Sequence, residues 1–266
     1  MKANKTPSKK SAYIVALTNQ KGGVAKTTTC VNLAASLSAA RRRVLVVDLD
    51  SQANATMSSG IEPNDVSPNA YDVLVGKKTA QQVIIRQTKA MYDLLPSNRD
   101  VTAAEVFLQS KRERHFYLKK ALQPILSLYD YILIDCPPAL NIITVNAMTA
   151  ANGLLVPIQC EYLALRGLAD LKQTVEGIKN TVNPKLEIEG LVRTMFDKRN
   201  RLAREVSDQL LEVFSSKVYN VIIPRNVRLA EAPSYGLPII MYDKNSSGSK
   251  TYLALAGEFI RRHEDK

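Results

Sequence analysis

The sequence predicts an α/β domain in three layers, a mostly parallel, twisted sheet with helices on both faces. Three observations predict it. Apolar runs of strand length recur along the chain, segments with helical spacing separate them, and the runs are nearly continuous instead of alternating with polar residues. A strand buried on both faces reads that way, whereas a strand with one wet face alternates.

In chain order, residues 1–11 carry Lys2, Lys5, Lys9 and Lys10 among Pro, Ser, Thr and Asn, and are expected to form a flexible basic tail. YIVALT at 13–18 is the first strand, and TTCVNLAASLSAA at 28–40 has the small and apolar spacing of a buried helix. The glycine-rich NQKGGVAKTT between them has the size of a phosphate-binding turn. RVLVVDLD at 43–50, YILIDC at 131–136, GLLVPI at 153–158 and LEIEGLVRTMF at 186–196 are the further strands, and helices are expected at 112–128, 163–181, 202–214 and, closing the chain, 250–262. NSSGS at 245–249 is too short to divide domains, so residues 12–266 are expected to form one domain.

Composition narrows the function classes. With 266 residues, 36 Lys+Arg against 25 Asp+Glu and a formal charge of +11, the chain favours an anionic partner: nucleic acid, an acidic membrane surface or a nucleotide. Cys30, Cys136 and Cys160 are far apart with no CxxC or Cys/His spacing, which argues against a disulfide framework or zinc site and for buried, reduced thiols. No apolar run approaches the roughly 20 residues of a membrane span, and the basic start leads into a strand and not a signal-peptide core, so a cytoplasmic protein is expected. His115, in KRERHFY, has no partner in the linear pattern and reads as a solvated helical histidine.

Phosphate binding needs backbone N–H groups turned inward, which glycine permits, and a helix N-terminus with its partial positive charge. Gly22, Gly23, Val24, Ala25, Lys26, Thr27 and Thr28, opening a helix after a strand, have those parts. Lys26 is placed to reach the β- and γ-phosphates of a nucleotide, and the Thr27 hydroxyl to ligate Mg²⁺. The strict pattern GxxxxGK[ST] nevertheless fails twice, because Gln20 and Ala25 stand where it requires glycine. A Cβ at position 25 either fits a backbone with negative φ or loosens the loop.

Phosphoryl transfer also needs carboxylates at the ends of strands beside that loop, to hold Mg²⁺ and align water. YILID ends in Asp135 and is followed by Pro137 and Pro138, which stiffen the exit from the strand; RVLVVDLD ends in Asp48 and Asp50. Each aspartate taken alone also suits a helix cap, and the loop shifts the balance towards nucleotide chemistry.

KGGVAKTT closely resembles the deviant Walker A motif KGGxGKT of the ParA/MinD/nitrogenase-iron-protein superfamily of P-loop NTPases, in which a second lysine precedes the glycines. The resemblance implies that this lysine, Lys21, reaches across a dimer interface to the phosphates held by the other subunit. VVDLDSQANAT resembles the DxDPQGNAT segment, with Ser51 replacing Pro and Ala53 replacing Gly; by that match Asp50 positions the attacking water, Asp48 supports the outer shell of the metal, and Asp135 is the Walker B aspartate that holds Mg²⁺ through water. The blocks TNQKGGVAKTTTCVNLAASL, YDYILIDCPPAL, LLVPIQCEYLALRGL and VIIPRNVRLAEAPSYGLPI extend the likeness to the ParA (Soj) branch over about residues 12–242, leaving out the tail and the poorly matching 84–113.

That branch implies an ATP- and Mg²⁺-dependent ATPase that forms a homodimer around ATP, binds double-stranded DNA without sequence preference and is stimulated by a ParB partner during chromosome or plasmid segregation; nucleoid association follows. Pro224 and Asn226 match a segment that packs against adenine, and Arg199 and Arg228 match DNA-contacting positions. Between positions 193 and 228 stand eight basic residues (Arg193, Lys198, Arg199, Arg201, Arg204, Lys217, Arg225 and Arg228) against four acidic ones, which suits phosphate tracking. A MinD-like membrane-associated ATPase is the alternative, but it needs a free amphipathic C-terminus, for which TYLALAGEFIRRHEDK leaves little room. An iron-protein-like redox ATPase or an ATP-dependent amide-forming enzyme would share the fold.

Overall fold

The structure is a computed structural model that describes residues 11–264. The expected basic tail, 1–11, lies outside the described residues except for Ser11. Among the described residues six strands form one parallel sheet: β1 (Tyr13–Leu17), β2 (Val44–Asp48), β3 (Asp93–Leu95), β4 (Tyr131–Asp135), β5 (Gly153–Gln159) and β6 (Glu187–Thr194), in the order β3-β2-β4-β1-β5-β6. The helices are α1 (Lys26–Ala39), α2 (Asn54–Ser58), α3 (Ala70–Leu74), α4 (Ala80–Val83), α5 (Val101–Gln109), α6 (Tyr117–Leu122), α7 (Ile142–Ala150), α8 (Ala164–Thr181), α9 (Arg201–Phe214), α10 (Val227–Glu231), α11 (Ile239–Tyr242) and α12 (Ser247–Glu264).

Successive strand residues point to opposite faces, and both faces are apolar, which is why the runs look continuous. Val15, Leu17, Val46, Leu133, Leu155 and Val192 join the cluster built on α1 and α12, while Ile14, Ala16, Leu45, Val47, Ile132, Ile134 and Leu154 join the opposite cluster with α3 to α9. Three layers result. Among the described residues no helix is long and apolar enough to cross a membrane. All three cysteines are buried and free.

The five predicted strands are present. The sixth, β3, has three residues inside 84–113, and it pairs with β2 through Leu45, Val46 and Val47. The expected helix at 112–128 is corrected: 112–116 form turns, α6 covers one and a half turns, and Gln123–Leu128 tightens into a 3₁₀ segment with Pro124 in its first turn. Proline lacks the N–H an α-helix interior needs and its ring crowds the preceding turn.

Strand order positions the site. Between β4 and β5 the chain crosses over β1, and the crevice at such a reversal is where open parallel sheets bind ligands. Leu17 and Asp48 are both register partners of Asp135, so β1, β2 and β4 end level with one another and their exit loops converge.

Candidate active site

The loop leaving β1 enters α1 through Ala25, at φ 64° and ψ 36°, and Gly23 lies at φ 73°. Of the two alternatives open for the Ala25 Cβ, negative φ is therefore excluded. The second departure from the family pattern behaves alike, since Ala53 enters α2 at φ 53° and ψ 34°. Alanine in the left-handed region costs about 1 kcal/mol, more than the unfolded-state entropy that a glycine would give back. Ala25→Gly is accordingly expected to raise the melting temperature of the unliganded protein by up to about 1–2 °C in a thermal melt, the shift that a net gain of about 0.5 kcal/mol produces in a domain of this size.

Above the loop lies a cavity of about 870 Å³ bordered by Gly22, Gly23, Ala25, Lys26, Thr27 and Thr28, by Asp50, Ser51 and Gln52, and by Pro137, Pro138 and Asn141. A Cβ built on Gly22 or Gly23 would meet nothing within 4 Å, so the space in front of the loop is open. Lys26 is buried and its ammonium donates to the Lys21 carbonyl at 3.1 Å, a contact that phosphate oxygens can replace. Burial pushes its pKa down while Asp135 opposes the shift. Val24 faces away, its carbonyl accepting from Thr194 Oγ1 at 3.0 Å and tying the loop to the end of β6.

The aspartates divide by their partners. The Thr27 hydroxyl donates to Asp135 Oδ2 at 2.7 Å, but Asp135 Oδ1 is buried with no hydrogen-bond partner among the described residues. Asp48 is fully engaged: Oδ2 accepts from the Thr56 amide at 2.8 Å and hydroxyl at 2.7 Å, and Oδ1 accepts from the Asp50 amide at 3.1 Å. Those bonds fold residues 49–56 over the end of β2. Burial, opposed by these donors, pushes the Asp48 carboxyl up to about 6. Burial and then the Asp48 charge also hold the Asp135 carboxyl well above the usual carboxylate range. Two buried carboxylates side by side, one with an orphaned oxygen and a neighbouring hydroxyl, form a donor set suited to a hard divalent cation. Asp50 is half-buried on the cavity wall; among the described residues its Oδ1 accepts only the Gln52 amide, at 3.0 Å, and Ser97 Oγ holds its carbonyl at 2.8 Å.

Against this cluster, 177 of the 266 residues, those at 12–188, match a family model described as an AAA domain. The chain is 47% identical over 245 residues to the sporulation initiation inhibitor protein Soj of Bacillus subtilis, which covers 92% of this chain and 97% of that protein. It is 45% identical over 253 residues to the chromosome partitioning protein ParA of Myxococcus xanthus, covering 95% and 89%. The chain belongs to the ParA/Soj family. Among solved structures, a cobyrinic acid a,c-diamide synthase from Mycobacterium smegmatis with bound ATP analog and magnesium superposes with TM-score 0.82 at 34% identity, over 94% of this chain and 95% of that one. A putative plasmid partition protein from Borrelia burgdorferi bound to AMPPNP gives 0.77 at 26%, over 94% and 99%.

Other residues singled out by the ParA/Soj pattern lie apart from the cavity. The Lys21 ammonium pairs with Glu161 of the same chain, both half exposed, and the Lys21 amide is held by Asn19 Oδ1 at 3.0 Å. Asn226 caps α10, accepting from the Leu229 amide at 3.2 Å, and donates to Ser247 Oγ at 2.7 Å. Pro224 lines a second cavity of about 540 Å³ with Phe196 and Arg225; Met195, next to Phe196 in sequence, borders the first. Arg199 is bidentate to Asp197, which holds that carboxyl down at about 2, and Arg228 pairs with Glu231 at 2.9 Å. Arg193, counted among the surface basic residues, is instead buried, donating to Ser207 Oγ and the Tyr219 carbonyl. A glutamate and an asparagine that sequence reasoning passed over, Glu105 and Asn141, border the main cavity, as do Pro233 and Ser234. Glu105 lies within 84–113, where no motif marked it.

Proposed function

We propose that this ParA/Soj chain is an ATPase that binds ATP with Mg²⁺ in the cavity above Lys26, dimerises around the nucleotide, binds DNA without sequence preference in that state, and releases it on hydrolysis in response to a ParB-like partner. The observation that carries the reading is the convergence of three level strand ends on one cavity, which Lys26, Thr27 and Asp50 border while the buried Asp135 accepts from Thr27 directly behind it. Thr27 and Asp135 are the residues that would hold Mg²⁺, which when bound neutralises charge on the phosphate oxygens during transfer.

Lys26 leaves the Lys21 carbonyl for the phosphates, and Asp50, free apart from its turn contact, accepts a hydrogen bond from the attacking water. Asp48 acts through the loop it folds, which sets where Asp50 stands. For Lys21 to serve a partner subunit it must give up Glu161; an exposed pair of this kind is worth about 0–1 kcal/mol, so phosphate competes readily. The membrane alternative is disfavoured by α12, whose apolar face of Tyr252, Leu255, Ala256 and Phe259 is buried in the α1 cluster. Support for partition rather than amide formation comes from the full-length relatives at 44–47% identity that carry partitioning or Soj names.

The test is binding to random-sequence duplex DNA across a salt series, with ATP and ADP side by side. Tight binding with ATP alone, falling about 10³-fold or more between 50 and 200 mM salt, is the expected result. Arg228→Glu should keep ATP binding and weaken DNA at least about tenfold, with a shallower salt slope, because each dimer loses a phosphate contact from both subunits. Normal DNA affinity in that variant would remove Arg228 from the interface, and nucleotide-independent or absent binding by the parent protein would overturn the DNA step itself.

A further inference from the structure

The segment that follows Asp135 has little to hold it. Pro137 and Pro138 have no amide hydrogens, and Pro137, Pro138, Ala139 and Asn141 all border the main cavity. Its anchorage among the described residues is at its far end. Thr144 Oγ1 donates to the Ala139 carbonyl at 2.6 Å, and Asn141 Oδ1 accepts from the amides of Ile143 and Thr144 at 3.1 and 3.0 Å, capping α7. The other half of that side chain, Asn141 Nδ2, donates to Glu105 Oε1.

Glu105 comes from α5, a different element, whose inner face is fixed by buried Val101, Ala104 and Leu108. It is half-buried on the cavity wall, and burial raises its carboxyl pKa. A carboxylate facing a cavity meant for a polyanion opposes the ligand, so its presence there calls for another role. The Asn141 contact supplies one, since it is the side-chain bond that joins the segment to the rigid layer beside it.

We propose that Glu105 is a positioning residue for ATP hydrolysis, acting through Asn141 to hold residues 137–141 around the end of the cavity where the transferred phosphoryl group sits. The inference rests on the ATPase reading above. It assigns Glu105 no contact with ATP: the side chain sets the register of the segment between Asp135 and α7, and chemistry suffers when the segment drifts.

The experiment is steady-state ATP hydrolysis by the full chain with Mg²⁺ and duplex DNA, for wild type, Glu105→Ala, Glu105→Gln, Asn141→Ser and the Glu105→Ala/Asn141→Ser double variant. Serine keeps the cap on α7 but loses the donor to Glu105, so Asn141→Ser tests the pair even where Glu105→Ala folds poorly. Each disrupting single variant should lower kcat about tenfold with KM for ATP within about twofold, the double should be no slower than the worse single, and Glu105→Gln, which keeps the acceptor, should recover at least half the rate. A kcat within twofold of wild type for both single variants, additive losses in the double, or a Gln variant as slow as Ala would each overturn the proposal. A wild-type protein without ATP hydrolysis would instead overturn the ATPase reading and this inference together.

Discussion

Lys26→Ala is expected to abolish nucleotide binding while leaving the fold intact. The ammonium is buried in the site and donates to one carbonyl, that of Lys21, at 3.1 Å. Removing it takes away a nearby cation that favours the Asp135 carboxylate, which keeps the Thr27 hydroxyl and, with its pKa already raised by burial, can take up a proton instead. Stability without ligand should therefore change little, since relief of the desolvation of the buried ammonium offsets the lost attraction to Asp135. With nucleotide the situation reverses. Charge-assisted hydrogen bonds to phosphate contribute about 1.5–3 kcal/mol each, so losing a lysine that bridges two phosphates weakens affinity by about 100-fold or more. The check is thermal denaturation with and without MgATP. Saturation at about 100 times Kd should stabilise the wild type by about 2.7 kcal/mol, a rise of roughly 5–10 °C, and Lys26→Ala should show no rise at the same concentration. A variant that still gains several degrees would move the phosphate site away from this loop.

The legible parts of the molecule are those where one local pattern dictates the outcome. β1, β2, β4, β5 and β6 are apolar runs because both faces of the sheet are covered, and the loop before α1 is marked by glycines and lysines that have no other common use. β3 is illegible for the opposite reason: Asp93, Leu94 and Leu95 form a strand through pairing with Leu45, Val46 and Val47, a partner nearly fifty residues away. The helix expected at 112–128 shows helical spacing that Pro124 overrides. Burial of Arg193 is equally hidden, since its acceptors, Ser207 Oγ and the Tyr219 carbonyl, come from α9 and the loop beyond it. At the site, Lys26, Thr27, Asp50 and Asp135 announce themselves by position at strand and helix ends. Glu105 does not, because a glutamate on an amphipathic helix becomes notable only when the fold brings Asn141 to it.

Asp50→Ala is expected to separate the ATP-bound state from hydrolysis. Asp48 and Asp50 are two residues apart and differ in what they face. Asp48 is buried and has three donors, so its loss would collapse the turn that ends β2. Asp50 faces the cavity, and its carboxylate makes a single local contact, the Gln52 amide at 3.0 Å, while its backbone remains held by Ser97 and by the Ala53 amide at 2.9 Å. The loop therefore survives truncation at position 50. Positioning and deprotonation of a nucleophile by a side chain is worth about 10²–10⁴ in rate, and the hydrolysis rate should fall by about that range. Affinity for ATP should not fall, because removing a negative charge from a cavity that binds a polyanion relieves repulsion. With hydrolysis blocked, the variant should hold ATP, remain a dimer by size-exclusion chromatography and stay on DNA after excess ATP is removed, whereas on the proposed cycle the wild type should let go as ADP accumulates. Asp50→Asn sharpens the test, since asparagine keeps the turn to Gln52 and removes only the charge. Equal loss of hydrolysis in both variants assigns the effect to the carboxylate as water acceptor; hydrolysis by Asp50→Asn near the wild-type rate would reduce Asp50 to a turn residue and return the role of aligning water to another group on the cavity wall.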